Sequence, residues 1–279
     1  ARAPGLRAVT RRRGIALTGR TALITGATGG IGEAIARALA GRGVRLLVSG
    51  RRETAVSPLA GDLGAQAVVA DLAVAEDVER LSAQAVAANV DVLIANAALP
   101  ASGLLSELTQ AQIDRMLDVN LRAPIALARA LAPEMTARGR GHLVFVSSLS
   151  GKTASSASSV YSATKFGLRG FAFGLREDLR GSGVGVSVVA PGFIRDAGMY
   201  AKTGVTLPAG VGTRSPQEVA GAVIRAIETN RAEIDVAPLG LRAGAALGSL
   251  APGLVGRAGH HLGSAKVAAQ MAERQRDQR

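Results

Sequence analysis

The sequence predicts a doubly wound α/β fold, in which one parallel sheet of seven strands carries helices on both faces. Three features lead to that reading. Short, uninterrupted runs rich in Val, Ile and Leu recur along the chain, as strands buried on both faces require. Amphipathic stretches of helical period separate them, so consecutive strands are joined by crossovers rather than hairpins. A glycine-rich turn follows the first apolar run directly and opens the first helical stretch.

In order, the strand-like runs are Thr21–Thr25, Val44–Ser49, Ala67–Ala70, Val90–Ala95, His142–Ser147, Val184–Ala190 and Glu233–Ala237. Helical patterns are expected over 31–41, 75–88, 110–137, 158–181 and 215–229. Residues 1–19, rich in Arg, Pro and Gly, lack periodicity and read as a mobile arm. From Leu239 onward Gly, Ala and Pro dominate and the pattern dissolves, with a final amphipathic helix expected over 260–279. The division is therefore an arm (1–19), one catalytic domain (20–238) and a C-terminal extension (239–279). A 279-residue chain that is 48% hydrophobic can bury one large core of this kind.

The turn reads Thr25-Gly26-Ala27-Thr28-Gly29-Gly30-Ile31-Gly32. A diphosphate can approach bare backbone there, where free N–H groups and the helix dipole favour negative charge. Any tight turn also uses glycine; the place between first strand and first helix is what favours a dinucleotide site. The third strand ends at Asp71-Leu72, where a carboxylate can accept from an adenine amino group. The fourth ends at Asn96-Ala97-Ala98, small residues over which a cofactor can lie. The second strand ends in Arg51-Arg52. An acidic residue at that point would hold the two ribose hydroxyls of NAD, whereas two guanidiniums suit a 2′-phosphate. NADP(H) is thus preferred over NAD(H), against the plainer reading of two solvated arginines.

At the other end of the cleft, Ser148 follows a strand, and Tyr161 and Lys165 stand four residues apart on one helical face. An ammonium beside a phenol stabilises phenolate and is expected to lower the tyrosine pKa from about 10, which makes a usable general acid/base. Such a pair is also common on a helix surface, and only its company gives it meaning.

Taken together, these motifs resemble the short-chain dehydrogenase/reductase family in its single-domain branch. The TGxxxGxG turn, Asp71-Leu72, Asn96-Ala97-Ala98, a helical Asn120, Ser148, Tyr161-x-x-x-Lys165 and Pro191-Gly192 occur in family order over residues 20–238. The resemblance implies a Rossmann-type sheet of order 3-2-1-4-5-6-7. It implies that Tyr161 is the proton donor/acceptor, that Lys165 binds the nicotinamide ribose and tunes Tyr161, and that Ser148 orients the substrate carbonyl. Asn120 is similar to the residue supporting a water-linked relay to that lysine. Pro191, Gly192 and Ile194 would border the nicotinamide, and Gly26, Thr28, Gly29, Gly30 and Ile31 the diphosphate. Two positions depart from the pattern: Ala98 replaces the usual glycine, and Asp196 lies where many relatives place a threonine.

The expected reaction is hydride transfer between NADP(H) and a hydrophobic ketone or secondary alcohol. An isomerase or dehydratase on the same scaffold and a non-catalytic dinucleotide-binding regulator are the alternatives. Residues 193–214 read as a flexible apolar lid with Phe193, Met199, Tyr200, Val205 and Leu207. Residues 239–263 suit a cleft cover, a subunit contact or, less favoured, a membrane surface. The resemblance implies a homodimer or homotetramer built on the helices at 110–137 and 158–181.

Composition narrows the field. With no cysteine there is no disulfide, thiolate metal site or Cys nucleophile, and His142, His260 and His261 form no ligand set, so no metal is expected. The formal net charge of +12 could attract nucleic acid, but aromatics at 3% leave little for base stacking. A solvated arginine surface is the simpler account, and no nucleic-acid partner is expected. Arg11–Arg13 suggests a twin-arginine signal, yet the apolar stretch after it is too short, so the expected location is cytoplasmic.

Overall fold

The computed structural model describes residues 14–100, 103–201, 203–207, 211–251, 253, 270–271 and 273–275. Most of the expected arm and most of the expected 260–279 helix, with His260 and His261, lie outside them. Seven strands form one sheet: β1 (Thr21–Thr25), β2 (Arg45–Gly50), β3 (Gln66–Val69), β4 (Val92–Ala95), β5 (Gly141–Val146), β6 (Val184–Pro191) and β7 (Glu233–Val236). All pairs are parallel, in the order β3-β2-β1-β4-β5-β6-β7.

Alternation along the strands feeds two cores. Leu23, Leu93 and Phe145 face one layer, with Leu81, Leu127, Leu131 and Leu168 of the helices α3 (Ala75–Ala87), α5 (Ala123–Ala137) and α6 (Ser159–Asp178). Their neighbours Ile24, Ile94 and Val144 face the other, with Ile35, Val56 and Val223 of α1 (Gly30–Ala40), α2 (Glu53–Leu63) and α8 (Pro216–Thr229). Each buried Leu, Ile or Phe contributes about 1.5–3 kcal/mol, so the two layers dominate the stability of the sheet. Residues 14–19 pack on α8 rather than project: Leu17 is buried, and Ile15 N donates to the Ile227 carbonyl at 3.3 Å.

Three helices differ from expectation. Pro58 and Gly61 hide α2 in the sequence, but packing of Val56, Leu59 and Ala60 outweighs their poor propensity. The stretch at 110–137 is not one helix. It runs as α4 (Gln110–Leu117), a π turn at Asp118–Arg122, and α5. After Pro238, where periodicity fades, the chain forms α9 (Leu239–Leu250). Of its glycines, Gly248 is the one packing demands, since a Cβ there would lie 2.4 Å from Thr153 Oγ1. The short α7 (Gly198–Ala201) lies within the expected lid.

Candidate active site

The sheet order reverses between β1 and β4, so a crevice opens beyond their carboxyl ends, where ligands of such sheets bind. The glycine-rich turn lies there. Gly26 has φ +62°, and a Cβ on it would come within 2.8 Å of Ala97 Cα. At Gly32 a Cβ would lie 2.2 Å from the Gly26 carbonyl oxygen, so α1 starts as close to the turn as backbone permits. Its N-cap, Gly29, offers no side-chain acceptor, which leaves the first amides of α1 to serve a ligand. These features fit a dinucleotide diphosphate.

Asn96 braces that turn. Its Nδ2 donates to the carbonyls of Thr25 (3.1 Å) and Gly26 (3.2 Å), while the amides of Asn96 and Ala97 donate to Thr25 Oγ1. Thr25 thereby joins β1 to β4, a role its sequence position gave no sign of. Ala98 has no positive φ, so its Cβ brings no backbone strain. Thr28 lies over the end of β2, beside Gly50. Arg51 and Arg52 follow, both exposed.

Asp71, expected to contact the adenine, is held in place by protein donors. Its Oδ1 accepts from Ala73 N at 3.0 Å and its Oδ2 pairs with Arg115 of α4 at 2.7 Å. Burial pushes its pKa up, but these donors, with the nearby charge of Arg51, outweigh it and hold the carboxyl below the usual range. The Leu72 side chain is in the core.

The residues expected to be catalytic gather at the end of β5. Ser148 caps a 3-10 turn (Leu149–Gly151), its Oγ accepting from Ser150 N at 3.1 Å. Tyr161 and Lys165 stand on one face of α6, with Lys165 Nζ 5.7 Å from the tyrosine ring centre. Lys165 is 2% exposed, and Nζ donates to the Val146 carbonyl at 3.0 Å. Burial of the ammonium lowers its pKa to about 8. The expected lowering of Tyr161 is overturned. Burial of the phenol pushes its pKa up to about 12, and the opposing influence is a hydrogen bond with Ser148, not the lysine charge.

Asn120 is fully buried in the π turn. Its Oδ1 accepts from Leu99 N (2.7 Å), and its Nδ2 donates to Leu99 O (3.0 Å) and Thr164 Oγ1 (3.4 Å). It therefore ties the chain after β4 to α6, one residue from Lys165. A π turn widens the helix locally and often marks a functional position; no simple periodicity reveals one. Thr164 escaped notice because a threonine in a helix carries no signal of its own.

Beyond β6, Gly192 N donates to Val236 O at 3.1 Å, and a Cβ at Gly192 would meet Ala237 and Leu149. The side chain of Ile194 is buried in the second core. The two ends of the segment expected to be a lid are tied together, as Arg195 N donates to Arg214 O and Arg214 N to Phe193 O, each at 2.9 Å. Between them Phe193 and Tyr200 make a tilted ring contact at 5.2 Å. The Asp196 carboxylate is exposed and lies 3.4 Å from Arg195, with φ +67°. His142 is buried against Ser187, 2.8 Å away, and burial depresses its pKa to about 3. Among the described residues no group of acids and histidines could hold a metal ion, and no helix is long and apolar enough to cross a membrane.

Comparison with known proteins gives the same picture. The short chain dehydrogenase family model matches residues 20–206. The ketoacyl reductase HetN of a Nostoc species is 36% identical over 228 residues, covering 79% of each chain. Dehydrogenase/reductase SDR family member 7B of Xenopus tropicalis is 34% identical over 265 residues, covering 86% of this chain and 84% of the relative. Among solved structures, a short-chain dehydrogenase from Sphingobium yanoikuyae in complex with NADPH superposes with TM-score 0.74 at 29% identity, covering 84% and 94% of the two chains. The seven-stranded sheet, the phosphate turn and these relatives agree: the chain belongs to the short-chain dehydrogenase/reductase family of NAD(P)-dependent oxidoreductases.

Proposed function

We propose that the protein is an NADP(H)-dependent carbonyl reductase or alcohol dehydrogenase acting on a hydrophobic ketone or secondary alcohol. The carrying observation is that Ser148, Tyr161 and Lys165 converge at the end of β5, across the crevice from a glycine turn shaped for a diphosphate. A nicotinamide, when bound, supplies or accepts the hydride. Tyr161 gives its proton to the carbonyl oxygen in reduction and takes it back in oxidation, while Ser148 hydrogen-bonds that same oxygen. With its hydroxyl at about 12, the tyrosine is a weak acid on its own. Lys165, one of whose three donors goes to Val146, would hold the ribose hydroxyls with the others. Asn120 keeps α6 in register for both.

NADP(H) is preferred because Arg51 and Arg52 are exposed where the adenosine ribose would lie, and two matching structures were solved with NADPH or NADP. Gly26, Thr28, Gly29, Gly30 and Ile31 hold the diphosphate, Asp71, Leu72, Asn96 and Ala97 flank the adenosine, and Pro191, Gly192 and Ile194 border the nicotinamide. HetN is named a ketoacyl reductase and another matching structure a putative betaketoacyl-ACP reductase, which favours carbonyl reduction as the direction. The apolar groove between α5 and α6, lined by Ile125, Ala128, Ala132, Phe171 and Leu175, supports self-association through these helices into a homodimer or homotetramer. The test is NADPH oxidation across a panel of ketones, followed by absorbance. Tyr161→Phe should cut turnover by about 10²–10⁴-fold, the range for loss of a general acid/base. Full turnover in that variant would refute the assignment.

A further inference from the structure

Lys152 is a buried charge that the mechanism above does not use. It follows the turn that starts at Ser148, and its side chain is 10% exposed. Nζ lies between two carboxylates of β7, 2.8 Å from Glu233 and 2.6 Å from Asp235. Those two positions, i and i+2, share one face of the strand. Arg169 of α6 takes the other oxygen of Glu233 at 2.7 Å, giving a cluster of two cations and two anions. A solvated surface would leave a lysine in water. Here burial removes much of the hydration of all these groups, which is tolerable only while each keeps an opposite charge. Well-packed apolar side chains could stabilise such a site as well as ions do, so stability alone does not account for the cluster.

What the cluster does do is fix a position. The turn it holds is pressed from both sides. A Cβ on Gly151 would lie 2.6 Å from Ser147 Oγ and 2.7 Å from the Lys165 carbonyl oxygen, so the turn abuts the helix that carries Tyr161 and Lys165. On the other flank, Ser249 of α9 donates to the Lys152 carbonyl at 3.0 Å, and Thr153 packs on Gly248. Leu149, Ala237 and Ala245 close an apolar contact beneath, with Leu241 against it.

We propose that Lys152, clamped by Glu233 and Asp235, is a positioning residue that sets the Ser148 turn against Tyr161. The Ser148 hydroxyl then holds the substrate oxygen by a hydrogen bond where Tyr161 can transfer its proton. Misplacement of a reacting group by about 1 Å can cost on the order of 100-fold in rate. The inference rests on the carbonyl-reductase reading, so its test needs one readout that does not.

The experiment compares the full chain with Lys152→Met, Lys152→Arg and Asp235→Asn. For a ketone the wild type reduces, kcat and KM are measured, with NADPH affinity by fluorescence and amide hydrogen exchange over residues 148–153. Lys152→Met should lower kcat about tenfold or more while NADPH affinity stays within about twofold, and the turn should exchange faster. Lys152→Arg, which keeps the charge, should recover most of the rate. Asp235→Asn leaves the Lys152–Glu233 pair and should show a smaller effect of the same kind; it decides the matter if Lys152→Met does not fold. Unchanged kcat and exchange would overturn the proposal. So would equal losses of kcat and NADPH affinity that arginine fails to rescue, since those describe general structural damage. A wild type that reduces no ketone would defeat the functional reading instead, and the exchange rates would still decide the clamp.

Discussion

Replacing Lys165 with Met should stabilise the protein at neutral pH while it destroys activity. Lys165 is 2% exposed, and burial lowers its pKa from 10.5 to about 8. A lysine that is harder to protonate when folded opposes folding wherever both states carry the proton. Below about pH 8 that opposition is complete. As pH rises from 8 toward 10.5 the folded state sheds its proton first, the unfolded state binds more protons, and stability climbs. A separation of about 2.5 units corresponds to roughly 3 kcal/mol at most, of which about 2–3 kcal/mol is recovered by pH 10. Methionine fills similar space without the charge but leaves the Val146 carbonyl without its donor, a loss of about 1–3 kcal/mol. The sign at pH 7 therefore rests on a difference of similar terms, with a net gain of about 1 kcal/mol expected. The pH dependence is the firmer observable. Urea denaturation of both proteins from pH 7 to 10 should show the wild type gaining on the variant by about 2–3 kcal/mol. Tyr161, raised to about 12, titrates above this window and shifts the other way, with stability lost as pH passes from about 10 to 12. A stability difference that stays flat from pH 7 to 10 would refute the argument that Lys165 carries an uncompensated desolvation penalty.

Two further predictions concern the cofactor end. Gly32→Ala places a methyl 2.2 Å from the Gly26 carbonyl and 2.8 Å from Asn96 Nδ2, so the turn must open; we expect about 1–3 kcal/mol of lost stability and at least about tenfold weaker NADPH binding. Gly61→Ala, in the open face of α2, is the control and should gain about 0.5–1 kcal/mol, both variants being compared with the wild type by thermal denaturation. Replacing Arg51 and Arg52 together with Ser should raise the KM for NADPH by about 10–100-fold, the worth of charge-assisted contacts, and leave that for NADH within about threefold. Equal effects on both cofactors would remove the basis for the NADP(H) preference.

What the sequence determined by itself follows from patterns of short range. Apolar runs placed all seven strands to within a few residues; β1, β4, β5 and β6 are buried throughout, so the run alone marks them, whereas the edge strands β3 and β7 are only partly buried. The glycine turn and the Ser148, Tyr161 and Lys165 spacing were legible for the same reason: each depends on local geometry and residue type. Tertiary structure decided the rest. It formed α2 through Pro58 and Gly61, and α9 among glycines, because burial against the domain outweighs weak propensity. It interrupted the expected long helix with the π turn that delivers Asn120 to Leu99 and Thr164, partners 21 and 44 residues away. It paired Asp71 with Arg115 and Lys152 with Asp235 across 44 and 83 residues. The ionisation of Tyr161 and Lys165 belongs here too. Residue type says that lysine and tyrosine can share a proton-transfer site. How deeply the fold buries each decides where they titrate, and burial raises Tyr161 and lowers Lys165 because removing water penalises charge of either sign.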